Sequence, residues 1–272
     1  MRYQSRSAIS YMFRNFWRLA MVALPVALFH GFFANYASES DFLAKLVSGN
    51  LSEDYVSEFT AAFTVVKYGS RWWIPFVLPV AMSITQSFFC VMISRHLRMG
   101  EMNVSLSKVF SVLPTMLLYM SAMYVCSIAL DFIPSGMAML LSGIIGNAQL
   151  VCWLCVVFSF AFSVLIAYVF VSLICAFPIR YCDNYPFNVA LSYSARIVNK
   201  NGKNVALLSF MFPVCQVIVA TLCAIVGNEV FSVVAYTLLF LFFTVYVPCV
   251  AFTMYYELIG RERKDISRII FG

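Results

Sequence analysis

Residues 149–177 read QLVCWLCVVFSFAFSVLIAYVFVSLICAF, and no Asp, Glu, Lys or Arg interrupts them. A helix needs about 20 mostly apolar residues to cross the hydrocarbon of a bilayer, and this run exceeds that length. Its apolar residues are continuous rather than alternating, which excludes a strand of a transmembrane barrel. Five further runs of the same kind lie at about 18–36, 73–95, 109–130, 204–226 and 230–256. The 272-residue chain is 62% hydrophobic and 11% charged, with a mean hydropathy of +0.88. Soluble domains carry about a quarter charged residues, so a water-soluble fold would leave much apolar surface wet. The expectation is an all-α, polytopic membrane protein forming one transmembrane domain over residues 1–272. Its six transmembrane helices would be arranged as three hairpins.

The basic residues sort by side. With six spans, 15 of the 18 Lys and Arg fall on one face of the membrane. They lie before the first span (Arg2, Arg6, Arg14, Arg18), in the second connection (Arg95, Arg98, Lys108), in the fourth (Arg180, Arg196, Lys200, Lys203) and in the tail (Arg261, Arg263, Lys264, Arg268). Lys45, Lys67 and Arg71 fall on the other. The positive-inside rule makes the basic face cytoplasmic, with both termini there. The net charge of +6 is then accounted for by that rule and by anionic headgroups, without nucleic acid. Arg18 and the run Leu19–Phe33 have the outline of a signal peptide. They end in His30-Gly31-Phe32-Phe33 rather than a small-x-small site, so the segment is expected to stay as the first span.

Two interfacial elbows are expected beside the spans. Ile9, Met12, Phe13, Phe16 and Trp17 follow helical spacing, with Ser10, Arg14 and Arg18 opposite; such a helix would lie flat at the headgroups. In the fourth connection, Phe187, Ala190, Leu191, Ser194, Ile197 and Val198 form one face, and Asn188, Ser192, Arg196 and Lys200 the other. Pro186 suits its start and Asn201-Gly202 its end. A shorter third helix is expected between Arg95 and Lys108, capped by Asn103 or Ser105. Phe13, Arg14, Phe16, Trp17, Arg18, Arg95, Arg98, Arg196 and Lys200 are therefore the expected contacts to lipid headgroups or to a protein partner. Prolines fall inside the spans at Pro25, Pro79, Pro114, Pro213 and Pro248, where neighbouring helices can satisfy a freed carbonyl.

Three blocks carry a family resemblance: Arg98-Met99-Gly100-Glu101 before the third span; Ala190-Leu191-Ser192-Tyr193-Ser194-Ala195-Arg196 with Asn201-Gly202-Lys203 before the fifth; and Pro248 followed by Met254-Tyr255-Tyr256-Glu257-Leu258. With the six-span pattern they resemble bacterial membrane proteins related to the membrane domain of glycerophosphodiester phosphodiesterases and to an uncharacterised family of Firmicutes. The resemblance implies a bacterial plasma membrane and no particular activity, since the phosphodiesterase chemistry belongs to a soluble domain that these residues do not include.

The long connection 37–72 is expected to hold helices at Asp41–Ser48 and Glu53–Val66, broken at Gly49-Asn50 and capped by Ser40 and Ser52. Val56, Phe59, Phe63 and Val66 would lie on the bilayer, over the bundle, or as a lid on an outward cavity. Trp72 and Trp73 would anchor the second span at the interface. Ionisable groups within spans are functional candidates, and they are scarce. His30, in the outer half of the first span, and the polar Gln86 and Gln216 are the expected binding residues, each also suited to helix-to-helix hydrogen bonding. Asp131 and Glu229 fall at helix ends, where carboxylates reach water. Cys152-Trp153-Leu154-Cys155 places a CxxC in the fourth span, but the 37–72 connection holds no shuttle cysteine pair and buried cysteines also serve as small packing residues. No metal site, cofactor site, phosphate loop or catalytic triad is expected.

The leading expectation is a non-enzymatic membrane subunit or scaffold, its scarce buried charge suiting a packed bundle. The first alternative is the permease half of an exporter driven by a separate ATPase, with 8–17 as elbow and 98–107 as coupling helix. The second is a thiol–disulfide oxidoreductase using Cys152 and Cys155.

Overall fold

The computed structural model describes residues 2–33, 36–63, 73–183, 185–200, 202–260 and 263–265. The expected positions Val66, Lys67, Arg71, Trp72, Asn201, Arg261 and Arg268 lie outside the described residues, as do the side chains of Arg2, Arg6, Asp131, Lys200 and Lys203.

Every long apolar run forms a helix, and the described residues hold no strand. In chain order the helices are α1 (Arg2–Phe33), α2 (Tyr36–Ser48), α3 (Tyr55–Phe63), α4 (Ile74–Met99), α5 (Leu106–Ile144), α6 (Ala148–Ile174), α7 (Ala176–Asp183), α8 (Phe187–Lys200), α9 (Gly202–Val226) and α10 (Glu229–Leu258). Six of them (α1, α4, α5, α6 with α7, α9 and α10) contain stretches long and apolar enough to cross a membrane. The chain is accordingly an all-α, multi-pass membrane protein. The ends follow local chemistry. Asn147 and Asn228 cap α6 and α10 by accepting the Leu150 and Phe231 N–H groups, each at 3.1 Å, which satisfies donors that have no partner within the helix. Gly100 closes α4 in the left-handed region, at φ 73°, a conformation that costs glycine little.

The longest helix-to-helix seam joins α1 to α10, the two antiparallel. Tyr11 of α1 meets Arg263 just beyond α10, while Gly31, near the other end of α1, meets Thr237 and Val233. Ala20, Ala23 and Ala27 are buried along this face of α1, and small residues let helix backbones approach in lipid. The opposite stripe, Phe13, Trp17, Met21, Leu24, Leu28 and Phe32, is exposed, as a lipid-facing stripe should be.

Several expected elements are corrected. α1 runs unbroken through the expected elbow, so the first candidate span begins at Ala8 rather than at 18. No glycine or proline separates residues 9–18 from the span. The expected apolar face is divided: Met12 is fully buried, Phe16 packs on the core, and Ile9, Phe13 and Trp17 face outward. The third helix between Arg95 and Lys108 is absent. α4 continues to Met99, and residues 101–105 lead directly into α5 without helix, with Ser105 at the N-terminal boundary of α5 but making no cap bond to its backbone. α5 does not stop near 130 but continues through Asp131 and Pro134 to Ile144. Its 39 residues extend about 58 Å, well beyond a hydrocarbon layer of about 30 Å.

The projecting ends of α5 and α6 are covered by α2 and α3. Phe42 and Leu46 of α2 and Phe59 and Ala62 of α3 are buried against Ala138, Val151, Cys152 and Cys155. Val56 and Phe63 pack beside them, so the expected stripe on the 37–72 connection lies over the bundle. Ser40 is buried within α2 rather than capping it, and α3 begins at Tyr55, three residues beyond Ser52. Trp73 packs edge-on against Phe29 and Phe33 at the end of α1.

α8 has the expected amphipathic register. Ala190, Ser194 and Val198 are buried, Phe187, Leu191 and Ile197 half-buried, and Asn188, Ser192 and Arg196 exposed. The Ser194 hydroxyl donates to the Ser172 carbonyl of α6, fixing the helix to the bundle.

Candidate functional site

Prolines inside spans create a need for hydrogen bonds, and the site begins there. Pro248 has no N–H, so the carbonyl four residues earlier, on Thr244, loses its donor within α10. Gln86 of α4 supplies one: its Nε2 donates to the Thr244 carbonyl at 3.2 Å. That bond uses the nitrogen of the amide and leaves the Oε1 of Gln86, buried to 2% exposure, without a hydrogen-bond partner. Along the same helix, Ser83 Oγ donates to the Pro79 carbonyl at 2.6 Å and Ser87 Oγ to the Ser83 carbonyl at 2.7 Å. These hydroxyls are turned onto their own backbone.

Gln86 stands on the wall of a chamber of about 350 Å³ in the middle of the bundle. All six spans contribute to it: His30 from α1, Pro79 and Gln86 from α4, Tyr124 and Ser127 from α5, Ser163 from α6, Gln216 from α9 and Thr244 from α10. The remaining wall is Met, Phe, Leu, Ile, Val and Ala, including Met82, Met120 and Met123. No Asp, Glu, Lys or Arg lines it. The three expected binding residues, His30, Gln86 and Gln216, thus face one cavity although they come from three different helices. His30 stacks flat on Phe240, ring centroids 3.9 Å apart and planes 9° from parallel. Tyr124, Ser127, Ser163 and the Pro79–Pro248 pair were not singled out from sequence. Serines and prolines spread through apolar runs carry no sign of which will converge.

Chemically, the chamber can hold a mostly apolar molecule and offer it a few hydrogen-bonding groups, foremost the Gln86 carbonyl oxygen. Ligand sites of this kind are apolar cavities of about 300–1,000 Å³ with a small number of placed polar groups. A charged ligand would be desolvated there without a counter-charge, at a cost of several kcal/mol.

The expected docking residues have separate fates. Arg14 is turned inward, its Nη2 2.6 Å from Asp265 Oδ2, and Asp265 is fully buried. Arg263 is buried as well. It bonds Asp265 at 3.1 Å, lies 3.6 Å from Glu257 and stacks 5.6 Å over the Tyr11 ring. Tyr11 in turn hydrogen-bonds His96 Nδ1 at 3.0 Å. This cluster ties residues 263–265 to α1 and α4, so the expectation of Arg14 as an outward docking residue is corrected. A basic residue among apolar ones gives no sign in sequence of an aspartate 251 positions away. Arg95 lies 3.5 Å from Glu101, Arg196 stacks 5.6 Å over Tyr193, and Arg18 and Arg98 are exposed. Cys152 and Cys155 are buried as free thiols beneath α2 and α3. Among the described residues no three His, Cys, Asp or Glu side chains gather as metal ligands would.

No family model, curated protein or solved structure matches this chain.

Proposed function

We propose that this chain is a non-enzymatic subunit of a bacterial plasma membrane whose spans enclose a small, uncharged, largely apolar molecule. Both termini lie in the cytoplasm in this reading, on the strength of the 15 basic residues assigned to that face. The observation that carries the ligand is the chamber to which every span contributes, with the Gln86 oxygen left for a donor. A scaffold alone needs no such space, and lipid-facing helices ordinarily close it by van der Waals packing.

The exporter reading shares the idea of a passenger within the bundle. It is weakened at residues 101–105, where a helix to engage an ATPase was expected and irregular chain is found. The exposed face of α8, with Asn188, Ser192 and Arg196, is the better surface for anionic headgroups or a protein partner.

Native mass spectrometry of the protein released from mild detergent tests the reading. The expected result is one retained molecule of a few hundred daltons per chain, lost from Gln86→Leu and from the chamber-filling Ala167→Phe. Retention of bulk phospholipid alone, equal in all three proteins, would overturn it.

A further inference from the structure

A second cavity, of about 520 Å³, lies beneath α2 and between α6 and α9. Ser163 and Gln216 belong to the walls of both cavities, but the chemistry of the second differs from that of the first. Glu39 stands on its wall, the single Asp, Glu, Lys or Arg among the lining residues. It is 6% exposed and within electrostatic reach of Tyr236 on α10. Opposite the helix that carries it, the wall presents Trp153 and Phe160 of α6, and Phe63 closes the cavity from α3. Ser159, on the same face of α6 as Phe160 and Ser163, has a buried hydroxyl without a hydrogen-bond partner.

The roof over this cavity is well fixed. One face of α2 presents Glu39, Leu43 and Val47 to the cavity, while Phe42 and Leu46 are buried against α3, α5 and α6. Gln149 Nε2 donates to the Leu46 carbonyl at 3.2 Å, and Lys45 pairs with Glu58 of α3 at 2.8 Å. The carboxylate is therefore held over the aromatic wall rather than swung into water.

A buried carboxylate stabilises a cation brought next to it and repels an anion. Aromatic faces add cation–π attraction, strongest for tryptophan and for weakly hydrated ammonium groups. The walls carry no basic residue to compete for Glu39. We infer that the cavity beneath α2 is a binding site for a small organic ammonium ion, held between Glu39 and the Trp153–Phe160 wall. This site stands apart from the central chamber and does not depend on what fills that chamber.

The test uses the full chain in a non-ionic maltoside detergent, without phosphatidylcholine, whose headgroup would compete. Butyltrimethylammonium is titrated by calorimetry against its uncharged carbon isostere, 2,2-dimethylhexane, and against butanesulfonate. Saturable binding of the ammonium ion at one per chain is expected, at least about tenfold tighter than either comparison compound. Glu39→Gln should weaken it by about tenfold or more, and Trp153→Leu by several-fold. Gln86→Leu, on the wall of the central chamber only, should leave it unchanged. Equal affinity for the ammonium ion and the sulfonate, or full affinity in Glu39→Gln, would overturn the inference. Should Glu39→Gln fail to purify as a single species, undiminished binding by Trp153→Leu overturns it alone.

Discussion

Gln86 shows how one side chain can serve both the fold and the site. Its amide nitrogen meets the Thr244 carbonyl that Pro248 leaves without a donor, and its oxygen remains at the chamber wall. A double-mutant cycle separates the two roles. Gln86→Leu in the natural chain should cost about 1–2 kcal/mol by orphaning the Thr244 carbonyl. In a Pro248→Ala background, where residue 248 regains an N–H, the same change should cost almost nothing, as read from detergent unfolding curves. Equal costs in both backgrounds would show that the proline and the glutamine are not coupled. Gly31 acts through space rather than through hydrogen bonds. A Cβ there would sit 1.8 Å from Thr237 Oγ1 and 3.2 Å from the Val233 carbonyl oxygen, so Gly31→Ala must push α1 away from α10. A loss of about 1–3 kcal/mol is expected, with Gly136→Ala, where nothing lies within 4 Å, as the unaffected control.

At the scale of the element, the six apolar runs and the register of α8 were legible because each is a local property. Period and length decide them, and neighbours only refine them. The misses are equally instructive. The N-terminal stretch 9–18 has the composition of an interfacial elbow, yet nothing in it breaks a helix, so it continues as α1. Charge was the misleading signal. Arg14 was read as headgroup-facing, whereas its partner is Asp265, beyond the last helix. α5 was read as ending near Asp131 and Pro134, but a proline removes one bond without ending a helix whose far turns are packed, and Ala138 and Leu141 pack under α2 and α3. The Arg14–Asp265–Arg263 cluster gives an element-scale prediction. Asp265→Asn removes a buried carboxylate that faces two guanidinium groups, and breaking such a cluster is strongly destabilising where it occurs. Trypsin should then cleave at Arg263 and Lys264 several-fold faster than in the natural chain, while α1 to α10 stay protected. Unchanged cleavage would mean that the cluster does not hold this segment.

For the whole molecule, the sequence announced the membrane and left the interior closed. His30, Gln86 and Gln216 stood out one at a time, because polar groups in apolar runs are rare. Their convergence depends on how α1, α4 and α9 rotate about their axes, which periodicity within one helix does not report. Scarce buried charge suggested a packed bundle; the structure instead places an uncharged chamber at its centre. The cavity beneath α2, with its one carboxylate, was equally hidden, since Glu39 reads as one more acidic residue of a connecting segment.

The central claim, that six spans surround a chamber able to hold an apolar molecule, is tested most directly by photolabelling the purified protein with a diazirine-bearing decanol and mapping adducts by mass spectrometry. Adducts on Met120, Met123, Phe212 and Phe240, competed away by unlabelled decanol and abolished by Ala167→Phe, are the result this account predicts. Labelling confined to the outward stripe of Trp17, Met21 and Phe32, unaffected by decanol or by Ala167→Phe, would contradict it.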